Sequence, residues 1–272
     1  MARSWLLHPA CLAGLLALPA PQAAAETLLA HYLVRAAGLQ VMDVEAELAL
    51  DGPRYRVRTH IRTTGLAGVL SRGDQVTSAE GRWQGGEPVP VRYRVEGIWR
   101  GGRREVALDW PSPGQPVLRA LDPPNEADRE AVPEGLTRNT MDALSALAKL
   151  TRTVARTGRC DAAAAVYDGR RRADYSVTTV GMESLPAEGG VAGPALRCAF
   201  ESRLLAGRRG EEDPEEARRP QPATVWFARP LPGREPIPVR IEMPSRWFGT
   251  IRVVLAGVEA LPSGQEVAQQ RH

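Results

Sequence analysis

The sequence predicts a mainly β protein, a curved antiparallel sheet forming a half-open or spiral β-barrel wrapped around one amphipathic α-helix. Three observations carry this expectation. Apolar and polar residues alternate with a period of two along much of the chain, which is the signature of strands with one buried face. Turn residues punctuate that alternation; with 26 glycines and 23 prolines the chain suits many short strands better than long helices. Only residues 140–157 stand out with a helical period instead.

The first residues read as a secretory signal. Arg3 is followed by an apolar stretch, Trp5-Leu6-Leu7 and then residues 11–18, and by Ala23-Ala24-Ala25 before Glu26. A basic start, a short apolar core and an Ala-x-Ala site are the order of a cleavable leader, and cleavage is expected after Ala25. Pro9 interrupts the apolar stretch and Pro19 and Pro21 close it, well short of the ~20 residues a membrane span needs. Cys11 is expected to leave with the leader. No later segment is long and apolar enough to span a bilayer, so the mature chain is expected outside the cytoplasm, in a bacterium the periplasm. The expected organisation is a signal over 1–25, one β-rich domain over 26–260 and a disordered tail over 261–272.

The first hairpin is the clearest. Val44, Ala46, Leu48 and Leu50 face one way and Glu45 and Glu47 the other. Asp51-Gly52-Pro53 turns the chain, and Tyr55, Val57, Thr59 and Ile61 then alternate with Arg54, Arg56, Arg58, His60 and Arg62. The glutamates are expected opposite the arginines on a solvated sheet face, a favourable cross-strand pairing. Strands follow over 74–83, 89–99 and 104–110, with turns at Gln84-Gly85-Gly86-Glu87 and Arg100-Gly101-Gly102; Val91, Tyr93 and Val95 are expected on one face. Residues 111–133 read as a long proline-rich loop.

The helix is expected over 140–157. Thr140 is the candidate N-cap, Asp142 sits in the first turn, and Met141, Leu144, Leu147, Thr151 and Val154 form the apolar stripe. Arg152 and Arg156 suit the C-terminal dipole, and Gly158 is a natural terminator. Such a helix is expected to cover or plug one side of the sheet. The second half returns to strands: 163–167, the turn Asp168-Gly169, 171–180, 195–205, 223–228, 238–243 and 247–258. Residues 207–221 read as a charged, mobile insertion.

With the signal removed, Cys160 and Cys198 remain. Two thiols in an oxidising compartment are expected to form a disulfide, the alternative being two unpaired buried thiols. Basic and acidic residues number 35 and 32, a near-balance unlike the concentrated basic face of a nucleic-acid binder. Lys149 is the only lysine.

Several stretches resemble a known family. They are 139–144 leading through Gly158-Arg159-Cys160-Asp161, then Val166-Tyr167-Asp168-Gly169-Arg170-Arg171, together with Thr64-Gly65-Leu66, Gly81-Arg82-Trp83, 193–198 and Pro238-Val239-Arg240-Ile241. Together they resemble the proteobacterial secreted proteins of domain of unknown function 3108, over most of the mature chain. The resemblance implies an envelope location and a curved, partly open β-structure holding a helix, similar to periplasmic lipoprotein carriers. It supplies no catalytic residues.

Chemistry-bearing patterns are sparse. His31, His60 and His272 are scattered, no serine has a recognisable base partner, and no phosphate loop or metal-ligand spacing is present. No catalytic, cofactor-binding or metal-binding residue is therefore expected, and no cofactor. Candidate ligand or headgroup contacts are Arg170, Arg171 and Arg172, and the aromatic residues Trp226, Trp247 and Phe248, with Phe227 beside them. Two functions remain open ahead of an enzyme. One is a binding protein for an apolar ligand such as a lipid or lipoprotein acyl chain. The other is an envelope interaction protein with a filled core, docking partners through 111–133 or 207–221.

Overall fold

The computed structural model describes residues 27–125, 129–186, 190–245 and 247–261. The expected leader and the expected tail from Pro262 lie outside them. The first half is a meander of seven strands: β1 (Thr27–Ala36), β2 (Leu39–Ala49), β3 (Arg54–Thr63), β4 (Asp74–Gln84), β5 (Glu87–Trp99), β6 (Gly102–Ser112) and β7 (Gln115–Asp122), with a short helix α1 (Gly65–Leu70) between β3 and β4. A helical connection follows, α2 (Glu134–Thr137) and α3 (Ala143–Thr157). The second meander is β8 (Ala162–Tyr167), β9 (Arg172–Leu185), β10 (Gly193–Ala206), β11 (Gln221–Ala228), β12 (Ile237–Ser245) and β13 (Gly249–Leu261), with α4 (Pro214–Arg218) between β10 and β11.

All described strands belong to one antiparallel sheet, ordered β7-β6-β5-β4-β3-β2-β1-β13-β12-β11-β10-β9-β8. Short connections make sequential strands neighbours. The two meanders join because β1 pairs with β13, from Thr27↔Leu261 to Arg35↔Arg252. The sheet does not close: its edges are β7 and β8, consecutive in the chain but separated by the segment carrying α3. That helix contacts β3, β4 and β5 of one half and β8 of the other. The result is a slit barrel whose helix packs between the edge strand β8 and the strands β3, β4 and β5.

The hairpins form for the expected reasons. Glu47 lies opposite Arg58 in the β2–β3 ladder and the two pair at 2.8 Å, as do Arg62 and Glu45. Ala46, Leu48, Tyr55 and Val57 are buried on the other face. The β4–β5 turn has both Gly85 and Gly86 at positive φ, 61° and 91°, the conformation a tight two-residue hairpin requires.

Three local expectations are corrected. Residues 111–133 are not one loop: Pro111 and Ser112 end β6, and Gln115–Asp122 form β7. Pro116 obscured this strand, yet an edge strand tolerates proline because one of its sides needs no ladder donors. Val91 does not share the inner face with Tyr93 and Val95. It occupies a bulge, since Glu80 pairs with Arg92 while Gly81 pairs with Pro90, and its side chain is exposed. The helix starts at Ala143, capped by Asp142 and not by Thr140. Met141 is held extended by β8, donating its N–H to the Ala165 carbonyl at 2.9 Å and accepting from Tyr167 N–H at 2.9 Å. Residues 207–221 contain α4, and Arg208 of this segment pairs with Glu130.

The helix ends as expected, with Gly158 at φ 67° and its N–H on the Val154 carbonyl. Beneath its last turns Cys160 and Cys198 are disulfide-bonded, 38 residues apart in sequence and wholly buried with Leu150, Val154 and Phe227 around them. Closing a loop of that length restricts the unfolded chain by about 4 kcal/mol in the chain-entropy account. Replacing both cysteines by alanine is therefore expected to lower unfolding free energy by roughly that amount. Urea melts of the two proteins under non-reducing conditions measure it; equal midpoints would show that the bridge contributes nothing.

Candidate functional site

An apolar cavity of about 220 Å³ lies between α3 and the inner face of the second meander. Its helix wall is Ala143, Ala146, Leu147 and Leu150, positions that share one face at helical spacing. Ala162 and Ala164 of β8 form the wall beside the helix. The opposite wall takes alternate residues from neighbouring strands: Val177 of β9, Phe200 of β10, Val225 and Phe227 of β11, and Ile241 and Met243 of β12. The space exists because alanines stand where helix and sheet approach; a methyl cannot reach what a leucine would fill. Lys149 lies at its edge, its aliphatic stem against the cavity and its Nζ donating to the Ala163 carbonyl at 3.2 Å and pairing with Glu87 at 2.8 Å.

The helix is anchored by a buried polar chain. Asp142 Oδ1 accepts the Ser145 N–H at 2.8 Å, Ser145 Oγ donates to Asp142 Oδ2 at 2.5 Å, and Tyr55 Oη lies 2.7 Å from Ser145 Oγ. Tyr55 can cross the sheet here because Gly81 has no side chain; a Cβ at that position would fall 2.3 Å from the Tyr55 hydroxyl. Burial pushes the Asp142 carboxyl up to about 6, against the opposing pull of its bonds from Ser145. Asp142 and Ser145 are both wholly buried, so this chain positions α3 and faces no open space.

The arginine run lies elsewhere and closes the slit. Arg170 donates to the carbonyls of Pro123 at 2.7 Å and Asp122 at 2.6 Å, reaching the end of β7 from the β8–β9 turn. Arg171 pairs with Asp168 at 3.0 Å. Arg172 is buried, donating to the Leu136 carbonyl at 3.1 Å and pairing with Asp174 at 2.8 Å. Trp226 alternates with the cavity residues Val225 and Phe227. It is buried beneath Arg197 and Arg240, with its Nε1 donating to Glu183 at 3.0 Å. Trp247 and Phe248 are exposed at the β12–β13 turn. None of the six candidate contacts lines the cavity. Of the lining residues only Phe227 was named by sequence beside the candidate ligand contacts; the run of four alanines at 162–165 was the available signal for unfilled space.

The family model described as Protein of unknown function (DUF3108) matches residues 29–256. The chain belongs to the DUF3108 family. No curated protein matches this DUF3108 protein. Among solved structures it is similar to a β-barrel-like protein of domain of unknown function DUF1849 from Brucella abortus, at 12% identity and a TM-score of 0.48, covering 88% of this chain and 99% of that one.

The buried Asp142 generates a pH signature. Its folded-state value lies above the ordinary carboxylate value near 4, so between about 4 and about 6 the native state holds the proton more tightly than the unfolded chain. The favourable contribution is complete below the unfolded value and is lost as pH rises through about 6, by on the order of 3 kcal/mol. Asn caps helices as well as Asp does but does not titrate. Asp142→Asn is thus expected to gain stability relative to the parent as pH rises from 4 to 6 and then level off. Urea midpoints across that range report it, and a difference that does not change with pH would refute it.

Proposed function

We propose that this DUF3108 protein is a non-enzymatic envelope protein that holds an apolar ligand, one segment of an acyl chain, in the cavity beneath α3. The observation that carries the reading is the composition of that cavity, whose walls are alanine, leucine, valine, isoleucine, methionine, proline and phenylalanine side chains, with Tyr175 and the stem of Lys149 the two lining side chains that bear a polar group. Its size sets the ligand. An apolar cavity of about 150 Å³ takes up benzene, and drug-sized ligands occupy about 300 Å³ or more. At about 220 Å³ the present space suits a stretch of hydrocarbon and not a whole phospholipid, whose remainder would stay outside. Each methylene buried there would contribute about 0.8 kcal/mol. The leader-like first 25 residues support export, and a buried disulfide suits an oxidising compartment such as the periplasm.

The first test is mass spectrometry of an organic extract of protein purified without detergent, together with uptake of an added fluorescent fatty acid. An apolar molecule present in stoichiometric amount, and saturable uptake, are expected. Ala164→Leu fills part of the cavity; displacing about three methylenes should weaken uptake about fiftyfold. Ala199→Leu, on the exposed face of β10, should leave it unchanged. An empty extract, with no uptake by parent or variant, would replace this reading with that of a filled-core protein acting through its surface.

A further inference from the structure

One rim of the barrel gathers large apolar side chains that none of the described residues covers. Four connections meet there on successive strands: the β12–β13 turn, the β1–β2 turn, α1 and the β5–β6 turn. Their adjacency follows from the ladders. The β1–β13 pairing runs to Arg35↔Arg252, which sets the turns beyond those residues side by side. Thr64 N–H bonds to the Val41 carbonyl at 2.9 Å and ties the start of α1 to β2. Gly101 N–H bonds to the Arg72 carbonyl at 3.0 Å and ties the β5–β6 turn to the segment after α1.

Along this arc Trp247 is 84% exposed, Phe248 54%, Leu39 63% and Val69 84%. Single exposed apolar residues are ordinary on any protein; four on adjoining turns of one rim mark a contact surface. The residues 65–70, Gly-Leu-Ala-Gly-Val-Leu, contain no charged or hydrogen-bonding side chain. The charged residues of the arc identify what it meets. Arg35, Arg72 and Arg100 are exposed and form no ion pair with a described group. On the sheet faces Arg58, Arg62 and Arg94 are paired with carboxylates, while Arg54, Arg82 and Arg92 are exposed there without large apolar neighbours as exposed as Trp247 and Val69; what sets the rim apart is the combination of guanidinium groups with exposed apolar side chains. Unpaired guanidinium groups interleaved with an indole, a phenyl ring and aliphatic tips match a lipid interface with anionic headgroups, where aromatic rings sit at headgroup depth and cations meet phosphates. The acidic residues of the β10–β11 connection, Glu211, Glu212, Asp213 and Glu215, occupy the next turn round the rim and would be repelled. The contact is therefore confined to the arc from the β12–β13 turn to the β5–β6 turn.

We propose that this rim docks the protein onto the surface of a bilayer carrying anionic headgroups. The proposal is independent of the cavity's occupant. Sedimentation of the purified protein with vesicles of phosphatidylglycerol and phosphatidylcholine in equal parts, and with phosphatidylcholine alone, tests it. Binding to the mixed vesicles at low salt is expected, at least about tenfold stronger than to the neutral ones and falling as salt is added. The double variant Trp247→Ser/Phe248→Ser and the triple variant Arg35→Gln/Arg72→Gln/Arg100→Gln should each weaken it by about tenfold or more, with unchanged circular dichroism. Ala164→Leu should bind vesicles like the parent, which separates this outcome from any failure of ligand uptake. Absence of binding to the mixed vesicles, or equal binding by the double variant, overturns the proposal. So does a concentration-dependent dimer that the double variant abolishes, which would assign the rim to a second copy of the chain.

Discussion

The ladder between β1 and β13 is the constraint on which the rest of the structure depends. Every other pair of described strands joins neighbours in sequence and would form in any meander. The terminal pair alone joins the two meanders back to back, so that they run away from the seam in opposite directions round the curve. Their far edges, β7 and β8, are brought round towards one another, while the long segment between them cannot lie flat as a hairpin loop. It enters the slit as α3, where its apolar face finds both halves of the sheet. A helix with one apolar stripe is stable in a protein when that stripe is buried; here the stripe carries buried Ala148, Leu150 and Val154.

Three polar devices hold the helix in the slit, each by a different physics. Met141 adds one parallel bridge to the open edge of β8, converting exposed backbone into paired backbone. Arg170 crosses to the end of β7 with two charge-assisted bonds to carbonyl oxygens, supported by Trp110 Nε1 on the Thr140 carbonyl at 3.0 Å. The Asp142–Ser145–Tyr55 chain sets the axial position of α3 by capping it within the core. The last device carries a desolvation penalty, visible in the raised carboxyl of Asp142. Burying a polar chain of this kind favours one register of the helix over its neighbours, because any sliding leaves a carboxylate unbonded.

The parts of this architecture written in local pattern were legible. The β2–β3 hairpin, the Gly85-Gly86 turn, the helix and its Gly158 terminus each depend on residues close in sequence. What was illegible depends on partners far away. Thr140 and Asp142 both look like caps; β8 decides between them by holding Met141 extended. The edge strand β7 carries Pro116, a residue that argues against a strand until its edge position is known. Arg170, Arg171 and Arg172 read as an anion site because three adjacent charges are conspicuous, whereas the distant acceptors of Arg170 at Asp122 and Pro123 and of Arg172 at Leu136 are not. Trp226 reads as a cavity residue, but the period-two rule places it opposite Val225 and Phe227 once those are known to face inward. The cavity itself was hardest to see, since it is a volume and not a motif, made by alanines that look like filler in a one-dimensional reading.

The cavity also bears on the choice between a binding protein and a filled core. The space is partly open to solvent, so its apolar walls forgo packing contacts and stay in reach of water. Larger residues at 146, 162, 164 or 223 would recover part of those contacts without disturbing the ladders, since each side chain already points inward. A protein acting only through its surface would gain from such replacements. For a protein with an apolar ligand the same space is where binding free energy arises: hydrocarbon restores the missing contacts of Phe200, Val225 and Ile241 and leaves water as it enters. The alanine lining and the apolar walls are then two halves of one property, and the helix that the slit barrel holds in place is what keeps the space from collapsing.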